Sequence, residues 1–317
     1  MSGAAGTTDR RIRSLRPPKP AVDPWKAHGF IVEDERRPDG VVEKTATIFL
    51  AGAECAFTCS FCDLWRYTTD GPTPRGAIPA QIEASLASVE PGSVQRLKLY
   101  NASNFFDRRA VPLDDLPRIA ELCAPFTGVT VESHANTVGP AVVEFARRVS
   151  GRLEVAMGLE TIHPSASALL NKRLDVERFD RAMSFLVENE VDVRVFVLLG
   201  APGVPVSEMV EWAVRSVEHA ARRGAALVSI IPVRGGNGEM ERLASIGEFT
   251  PPTLGQLECA LDQAIDHPRT AVTVDLWDVE RLAACAVCRD ERVERLRRMN
   301  LSGRRESSIV CDECGSK

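Results

Sequence analysis

Short apolar runs alternate with longer amphipathic stretches along the chain from about residue 45 onward. The runs are nearly continuous in aliphatic and β-branched residues, as in strands that are covered on both faces of a sheet. They occur at TATIFLA (45–51), RLKLYNA (96–102), GVTVESHA (128–135), LEVAMGLE (153–160), VDVRVFVLLG (191–200) and ALVSIIPV (226–233). Helical patterns lie between and after them at 80–89, 114–124, 141–149, 176–189, 206–223 and 251–265. This alternation predicts βαβ units with right-handed crossovers, and hence an α/β fold with a partial or complete barrel.

The two ends of the chain differ from this central pattern. Residues 1–40 are rich in Arg, Pro, Gly and Asp, and the stretch RPPKPAVDPW (16–25) is too proline-dense for a helix or a central strand. We therefore predict a mobile, basic lead-in at 1–40 and a core barrel at 41–270. A further strand pattern (271–278) opens a small C-terminal extension, which we place at 271–317.

The composition is that of an ordinary globular protein, with 44% hydrophobic and 26% charged residues and a net charge of −5. The chain has no apolar run of the roughly 20 residues that cross a bilayer, and its first residues are polar and Arg-rich. We therefore expect a cytoplasmic protein with no membrane partner.

Residues 1–20 carry five basic residues against Asp9, and residues 285–305 carry seven arginines against three acidic residues. These basic residues could bind an anionic partner, or they could form a solvated tail and an exposed helix face; the sequence supports both interpretations equally.

Nine cysteines are present, and seven of them fall into two clusters. In a cytoplasmic protein thiols are kept reduced, so clustered cysteines indicate metal ligation rather than disulfides. Cys123 and Cys259 stand alone in apolar, helix-like surroundings, and we expect both of them in the core.

The first cluster lies in the stretch AECAFTCSFCDLWR (53–66), the cysteine loop, directly after the first predicted strand. Cys55, Cys59 and Cys62 form a C-x3-C-x2-C array, and the loop contains no fourth cysteine or histidine. A structural zinc site needs four protein ligands. A 4Fe-4S cube that is held by three cysteines leaves one iron open for a substrate or cofactor. The array therefore favours an iron-sulfur cluster with an open coordination position.

This combination resembles the signature of the radical S-adenosylmethionine (radical SAM) enzymes, and the resemblance covers roughly residues 45–250. It implies a partial (βα)6 TIM-like barrel, a 4Fe-4S cluster on the three cysteines, and SAM bound at the open iron. In such enzymes one electron splits SAM into methionine and a 5'-deoxyadenosyl radical, which abstracts hydrogen from the substrate. The resemblance also implies an electron donor of the flavodoxin or ferredoxin type.

Local motifs at the strand ends resemble those of the branch that contains elongator-type and archaeosine tRNA-modifying enzymes and coproporphyrinogen dehydrogenase. These motifs are YNASNFFD, VESHAN, GLETIHPSASALLNKRLD, LLGAPGVP and SIIPV. The resemblance implies that SAM is contacted by Phe61, Asn101, Ser103, Glu132, Glu160, Arg173, Gly200 and Pro232. Arg173 stands where a basic residue pairs with the SAM carboxylate. Two histidines near strand ends, His134 and His163, are candidates for proton donation or substrate binding.

The second cluster comprises four cysteines, Cys285, Cys288, Cys311 and Cys314. Their spacing is that of a zinc ribbon, and four ligands close a site, so we expect a structural role held by zinc or by a second iron-sulfur cluster. Between the two pairs, Val293, Leu296 and Met299 form one helical stripe that we expect to pack on the barrel. We expect the intervening arginines to face solvent or an anionic substrate.

The leading hypothesis is a radical SAM enzyme that removes hydrogen from its substrate, and the branch resemblance points to tRNA modification. A small molecule or natural product is the alternative substrate within this class. From a different class, the basic ends and the four-cysteine array fit a non-catalytic zinc-ribbon protein that binds nucleic acid on a degenerate barrel. Iron content separates the two classes, because a zinc-ribbon scaffold needs no iron.

Overall fold

Eight strands in one sheet form the framework of the chain, of which the computed structural model describes residues 2–315. The strands are β1 (Gly29–Arg36), β2 (Val42–Phe49), β3 (Arg96–Tyr100), β4 (Gly128–Glu132), β5 (Arg152–Glu160), β6 (Asp192–Leu199), β7 (Leu227–Pro232) and β8 (Ala271–Val274). They follow one another in chain order; β1 is antiparallel to β2, and all later neighbours are parallel. The sheet forms a half-barrel, which confirms the predicted α/β partial-barrel fold.

Helices between the parallel strands cover the outer face of this sheet. In the described residues the helices are α1 (Ser2–Leu15), α2 (Ala77–Leu86), α3 (Leu116–Cys123), α4 (Pro140–Ala146), α5 (Ala166–Leu170), α6 (Val176–Glu188), α7 (Met209–Arg222), α8 (Glu239–Ser245), α9 (Leu254–Ala264) and α10 (Arg289–Ser302). Alternate strand residues such as Ile48, Leu99 and Val195 are fully buried beneath them, as the period of a strand requires. Across residues 2–315, no helix combines the length and the apolar character needed to cross a membrane.

Residues 1–40 differ from the expected lead-in, because the described part of this segment contains α1 and β1. The stretch 16–25 has neither helix nor strand, as its prolines predict. The hydrophobic pattern of the sequence does not predict β1, because this edge strand is half exposed and its second half is polar. In the structure β1 pairs with β2. The contacts of α1 are distant in sequence: Arg11 pairs with Glu239 at 3.0 Å. The sheet therefore extends beyond the predicted core on both sides.

A buried ionic network fills the half-barrel near the N-terminal ends of its parallel strands. Glu154 on β5 is fully buried and accepts hydrogen bonds from Arg194 on β6 at 2.9 Å and from Arg37 at 3.0 Å. Arg194 also reaches Glu35 on β1 at 2.5 Å. Burial alone would raise the pKa of Glu154, but the two arginines outweigh it and lower the pKa to about 2. These paired charges occupy one end of the barrel, so the opposite, C-terminal edge is left for ligands.

Helix α10 contacts both edge strands of the sheet, β1 and β8. Val293, Leu296 and Met299 are buried in the main core, as the helical stripe predicts. Arg295, in contrast, is only 1% exposed and donates to Asp262 of α9 at 2.6 Å, which corrects the expectation that the arginines of this helix face outward. Its burial depends on a carboxylate that lies far away in the sequence, so helical periodicity could not predict it.

The two isolated cysteines have different surroundings. Cys123 at the end of α3 is fully buried, as expected. Cys259 on α9 is exposed, so the expectation of a core position is wrong for this residue. The inner face of α9 is occupied by Leu257 and Leu261, two residues before and after it, which places Cys259 on the outer face.

Candidate functional site

The cysteine loop follows β2 at the C-terminal edge of the sheet and is tied to the segments that follow β5 and β7. Ser60 N donates to Leu170 O at 3.0 Å, and Asn237 Nδ2 donates to Ser60 O at 2.7 Å. At the start of the loop, Ala53 N donates to Thr73 Oγ1 at 2.9 Å. These bonds give the loop a fixed conformation on a rigid support, as a ligand-binding loop requires.

The three thiols of the cysteine loop are partly buried. Burial raises the pKa of Cys59 far above its usual range and that of Cys62 to about 12, although Lys172 acts to lower the pKa of Cys59. Cys55 Sγ accepts a hydrogen bond from Asn104 Nδ2 at 3.3 Å. Such thiols stay protonated unless a cation stabilises the thiolate, and a metal is such a cation. The donor set therefore fits a metal cluster that brings its own positive charge.

Two polar side chains at the end of β3 have no hydrogen-bond partner among the described residues. Asn101 is fully buried, and both its Nδ2 and its Oδ1 atoms are unpaired. The buried Oγ of Ser103 is unpaired as well. Unsatisfied buried polar groups are costly, so they mark a place where a polar ligand would complete the hydrogen bonding. Both residues belong to the set for which the sequence predicts contacts to SAM, and the observation fits that prediction.

Glu132 at the end of β4 faces the segment that follows β3. Its carboxylate accepts hydrogen bonds from the backbone N–H groups of Asn101 and Ala102. Ala102 has a φ of 53°, and such a bend lets consecutive N–H groups point at one acceptor. Burial outweighs these bonds and raises the pKa of Glu132 to about 7. A carboxyl group able to exchange a proton near neutral pH therefore lies beside the unpaired Asn101 side chain.

A buried ion pair between Glu160 and Lys172 lies at the end of β5, with side chains 6% and 10% exposed. A register shift between Gly158 and Glu160, together with a φ of 68° at Glu160, lets the carboxylate meet the ammonium group. A β-carbon at Gly158 would lie 1.9 Å from Glu160 Oε1 and 2.3 Å from Lys172 Nζ, so the pair requires glycine there. The sequence prediction missed Lys172, although it directly precedes Arg173 in NKRLD.

The histidine candidates are both held by backbone groups. The ring of His134 donates from Nε2 to Lys172 O at 3.0 Å and accepts at Nδ1 from Asn136 N at 3.1 Å. Burial, helped by the Lys172 charge, lowers the pKa of His134 to about 3, so this ring is neutral and positions the backbone at residue 172. His163 Nδ1 accepts from Ala166 N at 3.2 Å. Both ring nitrogens of His134, a candidate for proton donation or substrate binding, are therefore engaged within the protein.

The remaining residues with predicted SAM contacts lie at the same edge of the sheet. Arg173, with a φ of 57°, extends a half-exposed guanidinium that pairs with Asp9 of α1. Phe61 packs against a small apolar cluster beside β6 and β7. Gly200 follows β6 with a φ of 80°, and Pro232 is the last residue of β7. The structure thus brings the strand-end residues together, and their individual contacts to SAM stay predictions.

The second cysteine cluster converges on one point beside α10. The ligand atoms of Cys285, Cys288, Cys311 and Cys314 all lie within 4.8 Å of one another. Cys288 Sγ and Cys314 Sγ are 3.8 Å apart. Four thiolates that surround one zinc ion tetrahedrally at about 2.3 Å lie about 3.8 Å from one another. A 4Fe-4S cube puts each cysteine on a separate iron and holds the sulfurs farther apart. The spacing therefore fits a single ion.

No protein-family model matches the chain, and no curated protein matches it either. Solved structures do match its fold. Elp3 from the archaeon Methanocaldococcus infernus, in an N-terminally deleted form, is 15% identical with a TM-score of 0.52; the match covers 71% of this chain and 59% of Elp3. SuiB from Streptococcus suis, bound to S-adenosylmethionine, is 12% identical with a TM-score of 0.51; the match covers 71% of this chain and 48% of SuiB. This chain thus corresponds to only part of each of these proteins.

At such low identities the likeness establishes the fold, and the loop and strand-end geometry must carry any argument about chemistry. The chain shares a partial-barrel fold with Elp3 and SuiB, and its three-cysteine loop lies at the C-terminal end of the first parallel strand.

Proposed function

We propose that the chain is a radical SAM enzyme that binds a 4Fe-4S cluster through Cys55, Cys59 and Cys62 and uses SAM to remove hydrogen from its substrate. The observation that carries the proposal is the position of this three-thiol loop at the strand end of a partial barrel. SuiB, which shares the fold, was solved with S-adenosylmethionine bound, and this supports a SAM site in this chain. When bound, the cluster supplies the electron that splits SAM into methionine and a 5'-deoxyadenosyl radical.

The residues around the loop have separate tasks in this proposal. Asn104 orients the Cys55 thiolate through its amide hydrogen bond. The unpaired amide of Asn101 and the hydroxyl of Ser103 bind polar groups of SAM. Arg173 binds the SAM carboxylate, because a planar guanidinium matches a carboxylate with two donors. Glu132 and Glu160 accept hydrogen bonds from SAM hydroxyl or amino groups, and Phe61, Gly200 and Pro232 line the adenosine.

The experiment is reductive SAM cleavage by anaerobically reconstituted protein. We expect a reducible 4Fe-4S spectrum, and 5'-deoxyadenosine and methionine in equal amounts when dithionite is supplied. Cys55→Ala should abolish both, whereas Cys259→Ala, an exposed cysteine outside both clusters, should leave both intact. SAM cleavage that survives Cys55→Ala would refute the proposal. In the cell the electron must come from a donor protein, for which we propose the flavodoxin or ferredoxin type.

For the substrate class, the ion pairs of α10 favour a small molecule over tRNA. Each arginine of α10 has a carboxylate partner: Arg289 with Asp290, Arg292 with Glu258, Arg295 with Asp262, Arg297 with Glu294, and Arg298 with Glu306. Arginines neutralised in this way offer little attraction to a phosphate backbone. We expect tRNA binding to be weak at 150 mM salt. Mass spectrometry of a gene-deletion strain should show altered metabolites and unaltered tRNA nucleosides. Tight tRNA binding with a steep salt dependence would reverse this ranking.

For the C-terminal extension, we propose a single structural zinc ion on Cys285, Cys288, Cys311 and Cys314. The 3.8 Å separation of two of its sulfurs supports one ion rather than a second cluster. Metal analysis of anaerobically purified protein should give one zinc and about four irons per chain, the four of one cube. Zinc without iron or sulfide would instead favour the non-catalytic zinc-ribbon protein.

A further inference from the structure

Helix α1 lies across the C-terminal edge of the sheet and touches segments that follow three different strands. Arg16, just beyond its end, pairs with Glu54 of the cysteine loop at 2.7 Å. Arg11 pairs with Glu239 at the start of α8, after β7, at 3.0 Å. On the side of β5, Asp9 contacts the segment that contains Arg173. The helix therefore covers part of the edge at which the proposed SAM site lies.

The carboxylate of Asp9 is held by three side chains. Its Oδ1 atom accepts hydrogen bonds from Thr58 Oγ1 at 2.5 Å and from Asn171 Nδ2 at 2.9 Å, and its Oδ2 atom pairs with the guanidinium of Arg173. Thr58 is the residue that precedes Cys59 in the cysteine loop, and Asn171 also donates to Thr58 O at 2.8 Å. These contacts lower the pKa of Asp9 in spite of its partial burial, so it is a charged carboxylate at neutral pH.

We propose that Asp9 is an internal competitor for the carboxylate site on Arg173, and that a ligand carboxylate displaces α1 when it binds there. The inference rests on the proposed SAM site. Asp9 already occupies one donor nitrogen of the Arg173 guanidinium, and its negative charge repels a second carboxylate at that place, so Asp9 and the amino-acid end of SAM compete for Arg173. Displacement of α1 would at the same time uncover the edge of the sheet to the substrate.

The way in which α1 is attached suits a displaceable element. Among the α1 residues whose side chains are described, Ile12 is the buried hydrophobic one, with 4% of its surface exposed. Two further anchors are ion pairs in which one partner is half-exposed: the side chain of Arg11 is 42% exposed and that of Arg173 is 44% exposed. Exposed ion pairs contribute little to stability. The stretch that follows, 16–25, has neither helix nor strand and can act as a tether that keeps α1 close to the edge when it is displaced.

A competitor lowers the apparent affinity of the ligand by the fraction of molecules in which the site is open. Removal of the Asp9 charge should therefore strengthen SAM binding. We expect Asp9→Asn, which keeps the size and the hydrogen-bonding capacity towards Thr58, to lower the Kd for SAM by about tenfold. A matched control is Asp70→Asn, which removes a 95% exposed carboxylate from the ion pair with Lys19, just beyond α1. This control should leave the Kd unchanged.

The first experiment is equilibrium binding of SAM to the anaerobically reconstituted full chain, as wild type, Asp9→Asn and Asp70→Asn. Weaker or unchanged binding in Asp9→Asn would overturn the inference, because α1 would then support the site or be irrelevant to it. If SAM does not bind to any of the three proteins, the proposed function fails and the inference fails with it. SAM binding that is insensitive to Asp9→Asn overturns the inference alone.

The second experiment needs no variant and measures hydrogen exchange of the wild-type amides in 2–15. SAM should accelerate exchange in this segment, whereas 5'-methylthioadenosine, which has the same nucleoside without the carboxylate, should leave it unchanged. Slower exchange in α1 with SAM, or equal acceleration by both compounds, would show that the ligand carboxylate does not compete with Asp9.

Discussion

The side chain of Asn300 on α10 bonds both backbone groups of Val274 on β8. Its Nδ2 atom donates to Val274 O at 2.8 Å, and its Oδ1 atom accepts from Val274 N at 2.9 Å. An edge strand presents unpaired N–H and C=O groups, and here one amide side chain takes the place of a neighbouring strand. The pair therefore joins α10 to the open edge of the half-barrel.

Replacement of this amide should destabilise the protein. Asn300→Leu leaves the buried N–H and C=O groups of Val274 without partners, at an expected cost of about 2 kcal/mol in the free energy of unfolding. Urea denaturation under anaerobic conditions measures it. The control is Asn189→Leu, because the exposed Asn189 side chain donates to Phe185 O, at the end of its own helix α6. Equal effects of the two substitutions would contradict the role of Asn300 at the edge.

A methyl group at residue 158 should separate the buried Glu160–Lys172 pair. In Gly158→Ala the new β-carbon occupies the space of the carboxylate and the ammonium group, so both must move. We expect a loss of about 2 kcal/mol in stability, since an added methyl group in a packed site forces the neighbouring side chains out of their positions, and a loss of SAM binding. Gly71→Ala is the matched control, because its β-carbon would meet no atom within 4 Å. A variant with normal stability would show that the pair relaxes without cost.

The raised pKa of Glu132 makes stability depend on pH. Between its ordinary value of 4.5 and the folded value of about 7, the folded chain retains a proton that the unfolded chain has lost. Stability must therefore fall as pH rises through this window. Glu132→Gln removes the titration, so between pH 5 and pH 8 the variant should gain roughly 2 kcal/mol relative to the wild type.

Urea denaturation of both proteins at the two pH values tests this sign. Glu144→Gln is the control, because Glu144 is an exposed carboxylate in a pair with Arg148, one helical turn away on the surface. If the wild type and Glu132→Gln differ in free energy of unfolding by the same amount at both pH values, folding does not raise the pKa of Glu132.

The C-terminal cysteines should stabilise the whole sheet through α10. Cys288 is the residue at the N-terminal cap of this helix, so Cys288→Ser should lose the zinc ion and loosen α10 at its first turn. With free zinc at about a thousand times its Kd, the lost stabilisation is about 4 kcal/mol. Zinc stoichiometry, the unfolding midpoint and hydrogen exchange in β8 measure the loss. Cys259→Ser should leave all three unchanged.

The sequence predicts those parts of the fold that depend on local pattern. β2 to β8 are recognisable because each is a short apolar run, and the α10 stripe of Val293, Leu296 and Met299 is recognisable from its period. Arg295 is different, because its burial follows from Asp262, a residue of another helix. Similarly, the role proposed for Asp9 depends on its contact with Arg173, which lies 164 residues later in the sequence.

The candidate site follows the same division. The cysteine spacing identifies Cys55, Cys59 and Cys62 from the sequence, because ligands within one loop are local. Lys172 was missed, since its pairing with Glu160 depends on the space left by Gly158 and on a register shift in β5. The hydrogen bond of the His134 ring to Lys172 O likewise joins residues that only the fold places next to each other.

The contact of α10 with β1 has a consequence for the order in which the protein folds. β1 can pair with β2 early, because the two strands are adjacent in the chain. Its contact with α10 joins segments at opposite ends of the sequence, and contacts of such long separation form late. During synthesis, β1 therefore lacks its α10 contact from the time β1 leaves the ribosome until α10 has left it as well. This interval is when the nascent chain is most prone to pair with another copy, and chaperone dependence should be concentrated there.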